Sequence, residues 1–358
     1  MKTRVGILFG GRSGEHDVSC VSARHVAAAL DADRYTAVPI GITRTGLWVL
    51  PACSQAALSG GRLEIPEGRF VAEGAPLGIF GGFSGEAAGQ TPDLGLDVVF
   101  PVLHGPFGED GTVQGMLELT DCPYVGSGVL GSAVGMDKAL MKTVFTAAGI
   151  PQADYLVIRR RDWDLRRGDC VERACALGFP AFTKPANLGS SVGISRCADR
   201  AELEAGIAEA FGYDRKVVVE ENIAGREIEC AVLGNDQPEA SVCGEIVAAR
   251  AFYDYEAKYS DSASQTIAPA ELPESVSETI RALSLKGFEA VEAAGLARVD
   301  FFYEEPGRGV LINEINTMPG FTEISMFPKL WAKSGLSYPE LLDRLIALAF
   351  ERYSWRTG

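Results

Sequence analysis

A segment near the end of the chain, residues 298–320, carries acidic, amide and arginine side chains in an alternating pattern that could hold a metal ion beside a phosphate. Two runs of β-forming residues within it, 299–303 and 310–315, flank a turn sequence of charged residues, proline and glycine. Such a pattern predicts a β-hairpin. Because side chains alternate between the two faces of a strand, polar residues two apart along each strand share one face.

The predicted hairpin brings four polar residues together on that face. With the turn centred near Gly307, Asp300 lies opposite Glu314 and Arg298 lies opposite Asn316. Carboxylates directly across a ladder repel each other and destabilise the pair. A divalent cation bound between them would replace this repulsion with a stabilising attraction. Carboxylate and amide oxygens are hard ligands that suit Mg²⁺ shared with phosphate oxygens. We therefore expect these residues to form a binding site for magnesium and phosphate. The alternative is that the two acids simply lie on a solvent-exposed face.

A second candidate is a loop of small and polar residues between two predicted strands, Lys184-Pro-Ala-Asn-Leu-Gly-Ser190-Ser191. Backbone N–H groups and hydroxyls in such a loop can cover phosphates, with the lysine at its base. An ordinary surface turn is the alternative. No GxxxxGK[ST] pattern occurs in the sequence, so a P-loop is excluded as the phosphate site.

The chain opens with a short apolar strand at 5–9, a glycine-rich turn at 10–14 and the start of a helix, which is a Rossmann-like beginning. The glycine spacing departs from GxGxxG, but Asp31 and Asp33 stand roughly where a ribose-binding acid would be, which keeps a nicotinamide-dependent enzyme as an alternative. Glu15 at the helix start disfavours a pyrophosphate there and suits a substrate ammonium better. Compensation of the helix dipole is the other interpretation of Glu15. Both Glu15 and His104 follow predicted strands, at the edge where open α/β sheets bind ligands.

Other elements are predicted from hydrophobic periodicity and from turn residues. The predicted strands are 36–42, 97–103, 155–158, 182–184, 192–195, 216–220, 228–233 and 244–249. The predicted helices are 113–119, 138–148, 170–177, 201–211, 273–294 and 338–353. The aromatic, charged loop 252–259 lies outside these elements, and it is either a mobile lid or surface decoration.

Composition limits the classes of function. A chain of 358 residues is longer than a single hydrophobic core usually supports, so we expect two or three domains. The formal net charge of −15 argues against nucleic acid or an anionic membrane as partner, and a polyphosphate ligand would need local cations. No apolar run approaches the roughly 18 residues of a membrane span, and the first apolar run is too short for a signal peptide. We therefore expect a cytoplasmic protein.

Taken together and in this order, the segments resemble the ATP-grasp superfamily and, within it, the D-alanine–D-alanine ligase family. The matching segments span Gly10 to Ile346 and are GGRSGEHDVS, LHGPFGEDGTVQG, MDK, KPANLGSSVGIS, VEENIAGREIE, FYDYEAKYS, RVDFF, NEINTMPGFTEISM and YPELLDRLI. Each segment alone is weak evidence. Their combination and spacing are specific.

The resemblance implies an α/β fold, α+β in part, with a three-domain ATP-grasp architecture and an N-terminal Rossmann-like open sheet. Residues 1–126 would form the N-terminal domain, which binds the first substrate. Residues 127–223 would form the central ATP-grasp domain. Residues 224–358 would form the C-terminal ATP-grasp domain with the lid loop and the metal site.

The resemblance also implies a reaction in which the carboxylate of one D-alanine attacks the γ-phosphorus of ATP, giving an acyl phosphate and ADP. The amine of a second D-alanine then attacks the acyl carbonyl, and phosphate leaves. The product would serve peptidoglycan precursor synthesis. The family likeness further implies a homodimer.

Residue roles follow from the resemblance alone. The residues that would bind ATP are Lys138, Lys184, Ser190, Ser191, Glu220, Glu221, Ile223, Glu227 and Lys258. Two Mg²⁺ ions, or Mn²⁺ in their place, would be held by Asp300, Glu314 and Asn316. The catalytic residues would be Glu15, Ser190, Tyr259, Arg298 and Gly320, the last two as oxyanion donors. Substrate would be bound by Glu15, His104, Ser325 and the backbone N–H of Met326.

The choice of second substrate depends on the lid loop. Relatives that make esters with D-lactate have a histidine where this chain has Tyr259, and no histidine follows His104 in the sequence. Amide formation with D-alanine is therefore favoured. A D-alanine–D-serine ligase and a non-catalytic protein that binds nucleotide or amino acid stay open as alternatives.

Overall fold

The computed structural model describes residues 1–59, 94–190, 192–247, 265–322 and 324–357. Within these residues the strands form three sheets, and each sheet takes its strands from its own stretch of the sequence. The α/β class predicted from the sequence is confirmed. Among the described residues, none of the helices combines the length and the apolar character needed to cross a membrane.

The first sheet has the strand order β3-β2-β1-β4, and its three longer strands are parallel. The strands are β1 (Thr3–Gly10), β2 (Tyr35–Ile42), β3 (Trp48–Val49) and β4 (Val98–Val102), and the helices that follow them are α1 (His16–Ala29), α2 (Pro51–Leu58) and α3 (Thr112–Glu118). The continuous apolar run of β1 suits a central parallel strand that is buried on both faces. The Rossmann-like opening is therefore confirmed.

The second sheet is antiparallel, with the order β5-β8-β6-β7. Its strands are β5 (Tyr155–Arg159), β6 (Ala181–Pro185), β7 (Ser195–Cys197) and β8 (Lys216–Glu221). The helices before and within it are α4 (Val129–Met136), α5 (Lys138–Ala147), α6 (Arg160–Cys175) and α7 (Arg200–Ala210).

Two predictions for this sheet were wrong in their bounds. Helix α6 begins at Arg160 rather than near Cys170, and it kinks at Arg166, which has non-helical backbone angles. The kink breaks the periodicity, so only the second half carried a helical pattern. Strand β7 begins at Ser195 rather than Val192, because Gly193, at φ +71°, still belongs to the turn.

The third sheet is antiparallel, with the order β11-β10-β9-β12-β13. Its strands are β9 (Arg226–Gly234), β10 (Glu239–Val247), β11 (Gln265–Ile267), β12 (Gly295–Glu304) and β13 (Gly309–Asn316). Its helices are α8 (Glu274–Ala290), α9 (Met326–Lys333) and α10 (Tyr338–Thr357). The predicted hairpin is β12–β13, and the predicted pairs Arg298–Asn316 and Asp300–Glu314 are confirmed. A register shift between Asp300 and Phe301, which was not predicted, changes the pairing nearer the turn.

The first and third sheets share a hydrophobic core. Residues of β1 and β4 lie in the same cluster as residues of α9 and α10. At its centre the rings of Phe100 and Phe321 meet edge to face, with centroids 5.4 Å apart. Phe321 also packs on Phe327 of α9, with centroids 5.5 Å apart. This packing fixes the segment between β13 and α9 against the carboxyl ends of the parallel strands.

Candidate active site

The face of β12–β13 gathers the four polar side chains expected from the alternation. Arg298 donates from Nε and Nη2 to the two carboxylate oxygens of Asp300, at 2.7 Å each. The amide of Asn316 donates to Asp300 Oδ2 at 3.0 Å. Burial alone would lower the pKa of Arg298, but Asp300 and Glu229 hold that pKa well above its usual value. The guanidinium is therefore a permanent cation in a mostly buried place.

The chemistry of these side chains fits a magnesium site. Asp300 and Glu314 are direct neighbours across the ladder, and Asn316 adds an amide on the same face. Across the described ranges, no group of three or more histidine, cysteine, aspartate or glutamate side chains is arranged to hold a metal by itself. A Mg²⁺ ion that is shared with phosphate oxygens and water needs only one or two protein carboxylates. The donor set is therefore sufficient for that kind of site.

Three lysines lie near these acids, one in contact with Glu314 and two in contact with Glu220. Lys138, the first residue of α5, contacts Leu188 O at 2.9 Å and Glu314 Oε2 at 3.4 Å. It thereby joins the second sheet's glycine-containing loop to the hairpin of the third sheet. Lys184 at the base of that loop lies 2.7 Å from Glu220 Oε2. Burial would lower the pKa of Lys184, and Glu220 more than offsets this and raises it.

The third cation, Lys142, was missed in the sequence analysis. Its Nζ is 3.2 Å from Glu220 Oε1, and both side chains are buried, at 1% and 4% exposure. Burial would raise the pKa of Glu220, but Lys142 and Lys184 together lower it to about 2. A usable signal was present, because Lys142 follows Lys138 by four residues and so lies on the same face of α5.

The loop that follows β6 reaches across to the first sheet. The hydroxyl of Ser190 donates to Glu15 Oε1, which is the predicted link between these two residues. The loop is anchored at Asn187, whose backbone N–H and side-chain amide both donate to Asp214 Oδ2 at 2.9 Å. A Cβ added at Gly189 would lie 2.9 Å from Glu15 Oε2, so a larger residue there would push that carboxylate aside.

His104 and Glu109 lie beside Glu15, at the end of β4. His104 is buried, with Nδ1 3.1 Å from Met318 O and Nε2 3.3 Å from Ser22 Oγ. Burial lowers the pKa of His104, so the ring is neutral near pH 7. Glu109 accepts the N–H of Gly105 at 2.5 Å, and burial together with Glu15 raises its pKa to about 8. Glu109 belongs to the motif LHGPFGEDGTVQG but was not assigned a role from the sequence.

The segment before α9 ends in a helix N-terminus. Ser325 is the N-cap residue, and its Oγ accepts the N–H of Thr322 at 3.1 Å. A Cβ at Gly320 would lie 2.8 Å from Ser325 Oγ, so Gly320 and Ser325 are immediate neighbours. The side chain of Met326 is buried in the core. Met326 is also the first residue of α9, so its backbone N–H has no partner within the helix. A helix N-terminus of this kind favours a carboxylate.

The link between the second and third sheets holds the residues predicted for adenine and ribose. Glu221 ends β8, and its Oε1 accepts from Asp154 N and from Arg308 Nη1, at 2.6 Å each. Ile223 follows in the link, and Glu227 lies near the start of β9, opposite Phe302. The carboxylate of Glu220 already faces two lysines, so the backbone of the link is better placed than that side chain to meet a base.

Three predicted site residues lie outside the described residues. They are Ser191, Lys258 and Tyr259, and the predicted lid loop lies there as well. Their assigned roles stay predictions.

Comparison with known proteins assigns the family. The protein-family model described as D-ala D-ala ligase N-terminus matches residues 4–127, and the family model described as D-ala D-ala ligase C-terminus matches residues 144–347. A D-alanine–D-alanine ligase of Geobacillus kaustophilus is 50% identical over 360 residues, covering 99% of this chain and 96% of its own. One from Bacillus licheniformis is 50% identical over 355 residues, covering 99% of this chain and 97% of its own.

Solved structures agree with these matches. The D-alanine-D-alanine ligase from Coxiella burnetii has a TM-score of 0.82 at 38% identity, covering 99% of this chain and 96% of that one. The VanG D-Ala:D-Ser ligase from Enterococcus faecalis has a TM-score of 0.83 at 33% identity, covering 98% of this chain and all of that one (100%). With family models and full-length relatives in agreement, this chain belongs to the D-alanine–D-alanine ligase family, whose members are ATP-dependent ligases.

Proposed function

We propose that the enzyme joins two D-alanine molecules to D-alanyl-D-alanine, converts ATP to ADP and phosphate through an acyl phosphate, and serves peptidoglycan precursor synthesis. One observation carries the proposal. Lys138 contacts Glu314 and the carbonyl of Leu188, and Ser190 in the same loop contacts Glu15, so one loop links the proposed phosphate site to the proposed ammonium site.

In the first step, cations must meet the charge of the transferred phosphoryl group. Lys138 and Lys184 would be cations that meet this charge, and Lys258 would join them. Asp300, Glu314 and Asn316 would hold Mg²⁺, with Mn²⁺ as a substitute, and the bound ions would neutralise phosphate oxygens. The backbone at Glu221 and Ile223 would receive adenine, with Glu227 at the ribose.

In the second step, negative charge develops on the carbonyl oxygen that the amine attacks, and donors must already be in place. Arg298 and the backbone N–H of Gly320 would be these donors. Glu15 would bind the ammonium of the first D-alanine, in a network with Ser190 and Tyr259. His104, neutral and buried, would lie by the first carboxylate, and Ser325 with the N–H of Met326 would hold the second.

The proposal includes the organisation of the chain. Domains at 1–126, 127–223 and 224–358 are supported by the three sheets, each of which lies within one of these ranges. A homodimer and a cytoplasmic location are part of the proposal on family likeness alone.

Product analysis tests the proposal. The enzyme is supplied with ATP, Mg²⁺ and equal concentrations of D-alanine, D-serine and D-lactate, and the products are separated and identified. We expect D-alanyl-D-alanine as the main product, with ADP release that requires D-alanine. Release of ADP without any dipeptide, or no release at all, would contradict the proposal.

A D-alanine–D-serine ligase is the second candidate. The similarity to the VanG D-Ala:D-Ser ligase supports it, at 33% identity and a TM-score of 0.83. The higher identity to D-alanine–D-alanine ligases, 50% over 360 residues for the Geobacillus relative, favours D-alanine. In the same competition experiment, a main product of D-alanyl-D-serine would decide for this alternative.

A further inference from the structure

Asp300 has an acidic neighbour on each side in the third sheet. The register of β12 with β13 places Glu314 opposite Asp300, and the register of β9 with β12 places Glu229 opposite Asp300. Directly opposed residues share a face, so three carboxylates form one row across three strands. Glu229 is not among the proposed metal ligands and has no role in the function proposed above.

Arg298 holds this row together. Its Nε lies 3.2 Å from Glu229 Oε2, while its Nε and Nη2 are both 2.7 Å from oxygens of Asp300. The side chains of Arg298, Glu229 and Asp300 are 19%, 12% and 14% exposed. Ion pairs this shielded from water hold their geometry more firmly than surface pairs do.

The proposed function makes conflicting demands on Asp300. Its two oxygens are taken up by the fork of Arg298, yet it is expected to present oxygen to Mg²⁺ while Arg298 donates to the reacting carbonyl. When Asp300 turns toward a cation, Arg298 loses its bidentate partner. Glu229 is the remaining carboxylate in contact with the guanidinium among the described residues.

We propose that Glu229 is a positioning residue, which holds Arg298 toward the reacting carbonyl while Asp300 serves the metal. The inference rests on the proposed function. It assigns Glu229 no contact with substrate, nucleotide or metal. The effect of Glu229 is on the orientation of the Arg298 donor, and therefore on turnover rather than on binding.

The test is Glu229→Gln, which keeps the shape of the side chain and removes its charge. We expect turnover to fall by about 10- to 100-fold, the usual scale for a supporting partner of a site residue. The KM for ATP should stay within about twofold of wild type. The affinity of the ADP-loaded enzyme for Mn²⁺, measured by electron paramagnetic resonance, should also stay within about twofold, because Glu229 is not a ligand.

A matched control exists in the same sheet. Glu245 is also 12% exposed and holds both Nε and Nη2 of Arg226, at 2.8 and 2.7 Å. It lies opposite Ile228, whereas Glu229 is the next residue along β9, so Glu245 is on the other face. Glu245→Gln should leave turnover within about twofold of wild type. An equal loss in both variants would indicate a general disturbance of the sheet and would overturn the inference.

Two further measurements separate positioning from packing. Glu229→Asp keeps the charge and loses shape, so it should retain more turnover than Glu229→Gln, and the reverse order would contradict the inference. Added guanidinium should restore part of the turnover of Arg298→Ala, and it should restore less when Glu229→Gln is also present; equal rescue would contradict the inference.

The outcomes keep the two proposals distinguishable. A wild-type enzyme that makes no dipeptide overturns the proposed function. A wild-type enzyme that makes dipeptide, together with a fully active Glu229→Gln, overturns the role of Glu229 alone. A tenfold or greater weakening of Mn²⁺ binding in Glu229→Gln would make Glu229 a metal ligand and would also overturn the positioning role.

Discussion

Arg298 is the cation among the proposed catalytic residues, and it forms ion pairs with Asp300 and Glu229. We propose that it stabilises the oxyanion of the second step. Replacing Arg298 with alanine should lower turnover by about 10²-fold or more, the scale expected for a lost oxyanion donor. ATP binding, measured by calorimetry, should change little, because Arg298 is not proposed to contact the nucleotide. Turnover equal to wild type would remove Arg298 from this role.

Lys142 is a buried cation whose partner, Glu220, is buried with it. Lys142→Met should lower the free energy of unfolding by about 3 kcal/mol, because removing one partner leaves a buried charge less compensated. The KM for ATP should also rise, since Glu220 and Lys184 would shift. Denaturant unfolding and steady-state kinetics measure the two effects. Lys286→Met, at an exposed position of α8, is the control and should change neither.

The raised pKa of Glu109 leads us to expect that the free energy of unfolding depends on pH. Burial and Glu15 raise its pKa from 4.5 to about 8, so the folded state holds a proton that the unfolded state releases. Stability from this group is fully present below pH 4.5 and is lost progressively as the pH rises through 8. Glu109→Gln should therefore flatten the decrease in unfolding free energy of the ligand-free enzyme between these pH values. An unchanged slope would show that Glu109 does not carry the proton.

Among the elements, the loop after β6 links two parts of the site, because it brings Ser190 into contact with Glu15. Gly189→Ala would place a methyl group 2.9 Å from Glu15 Oε2 and should displace that carboxylate. The KM for the first D-alanine should rise by about tenfold, the equivalent of 1.4 kcal/mol. Gly14→Ala is the control, because a Cβ at Gly14 has no neighbour within 4 Å. Equal kinetics in the two variants would contradict the account of this loop.

Some elements were predictable from the sequence and others were not. The pairing of Asp300 with Glu314 followed from alternation on both sides of a short turn, but the register shift beside Asp300 was not predicted. Helix α9 was not predicted, although its Pro328 lies in the first turn, where a missing N–H is tolerated. The start of α6 was missed because a kink at Arg166 interrupts its pattern. Local periodicity therefore identified regular elements and failed where the backbone departs from regularity.

The site is assembled from distant parts of the chain. Ser190 reaches Glu15, His104 reaches Met318, and Lys138 reaches Glu314. The order of the motifs indicated the family and so the residues to compare. It gave no account of Lys142, Glu109 or Glu229, because their roles depend on tertiary neighbours that spacing does not specify.

Ligand binding should stabilise the assembled molecule. If ATP and Mg²⁺ bind where the three sheets meet, the folded state gains about 2.7 kcal/mol at a ligand concentration 100 times the Kd. We expect ADP with Mg²⁺ to raise the thermal midpoint by several degrees, and EDTA to remove most of that rise. A midpoint that does not respond to EDTA would argue against a metal in the nucleotide site.

In the proposed mechanism, a D-alanine carboxylate is phosphorylated by ATP before the peptide bond forms. It is tested most directly with D-alanine carrying ¹⁸O in its carboxylate, followed by mass spectrometry of the released phosphate. We expect one ¹⁸O atom in the phosphate released for every D-alanyl-D-alanine formed, because the carboxylate oxygen that attacks the γ-phosphorus leaves with the phosphate. Dipeptide formation with unlabelled phosphate would contradict the account.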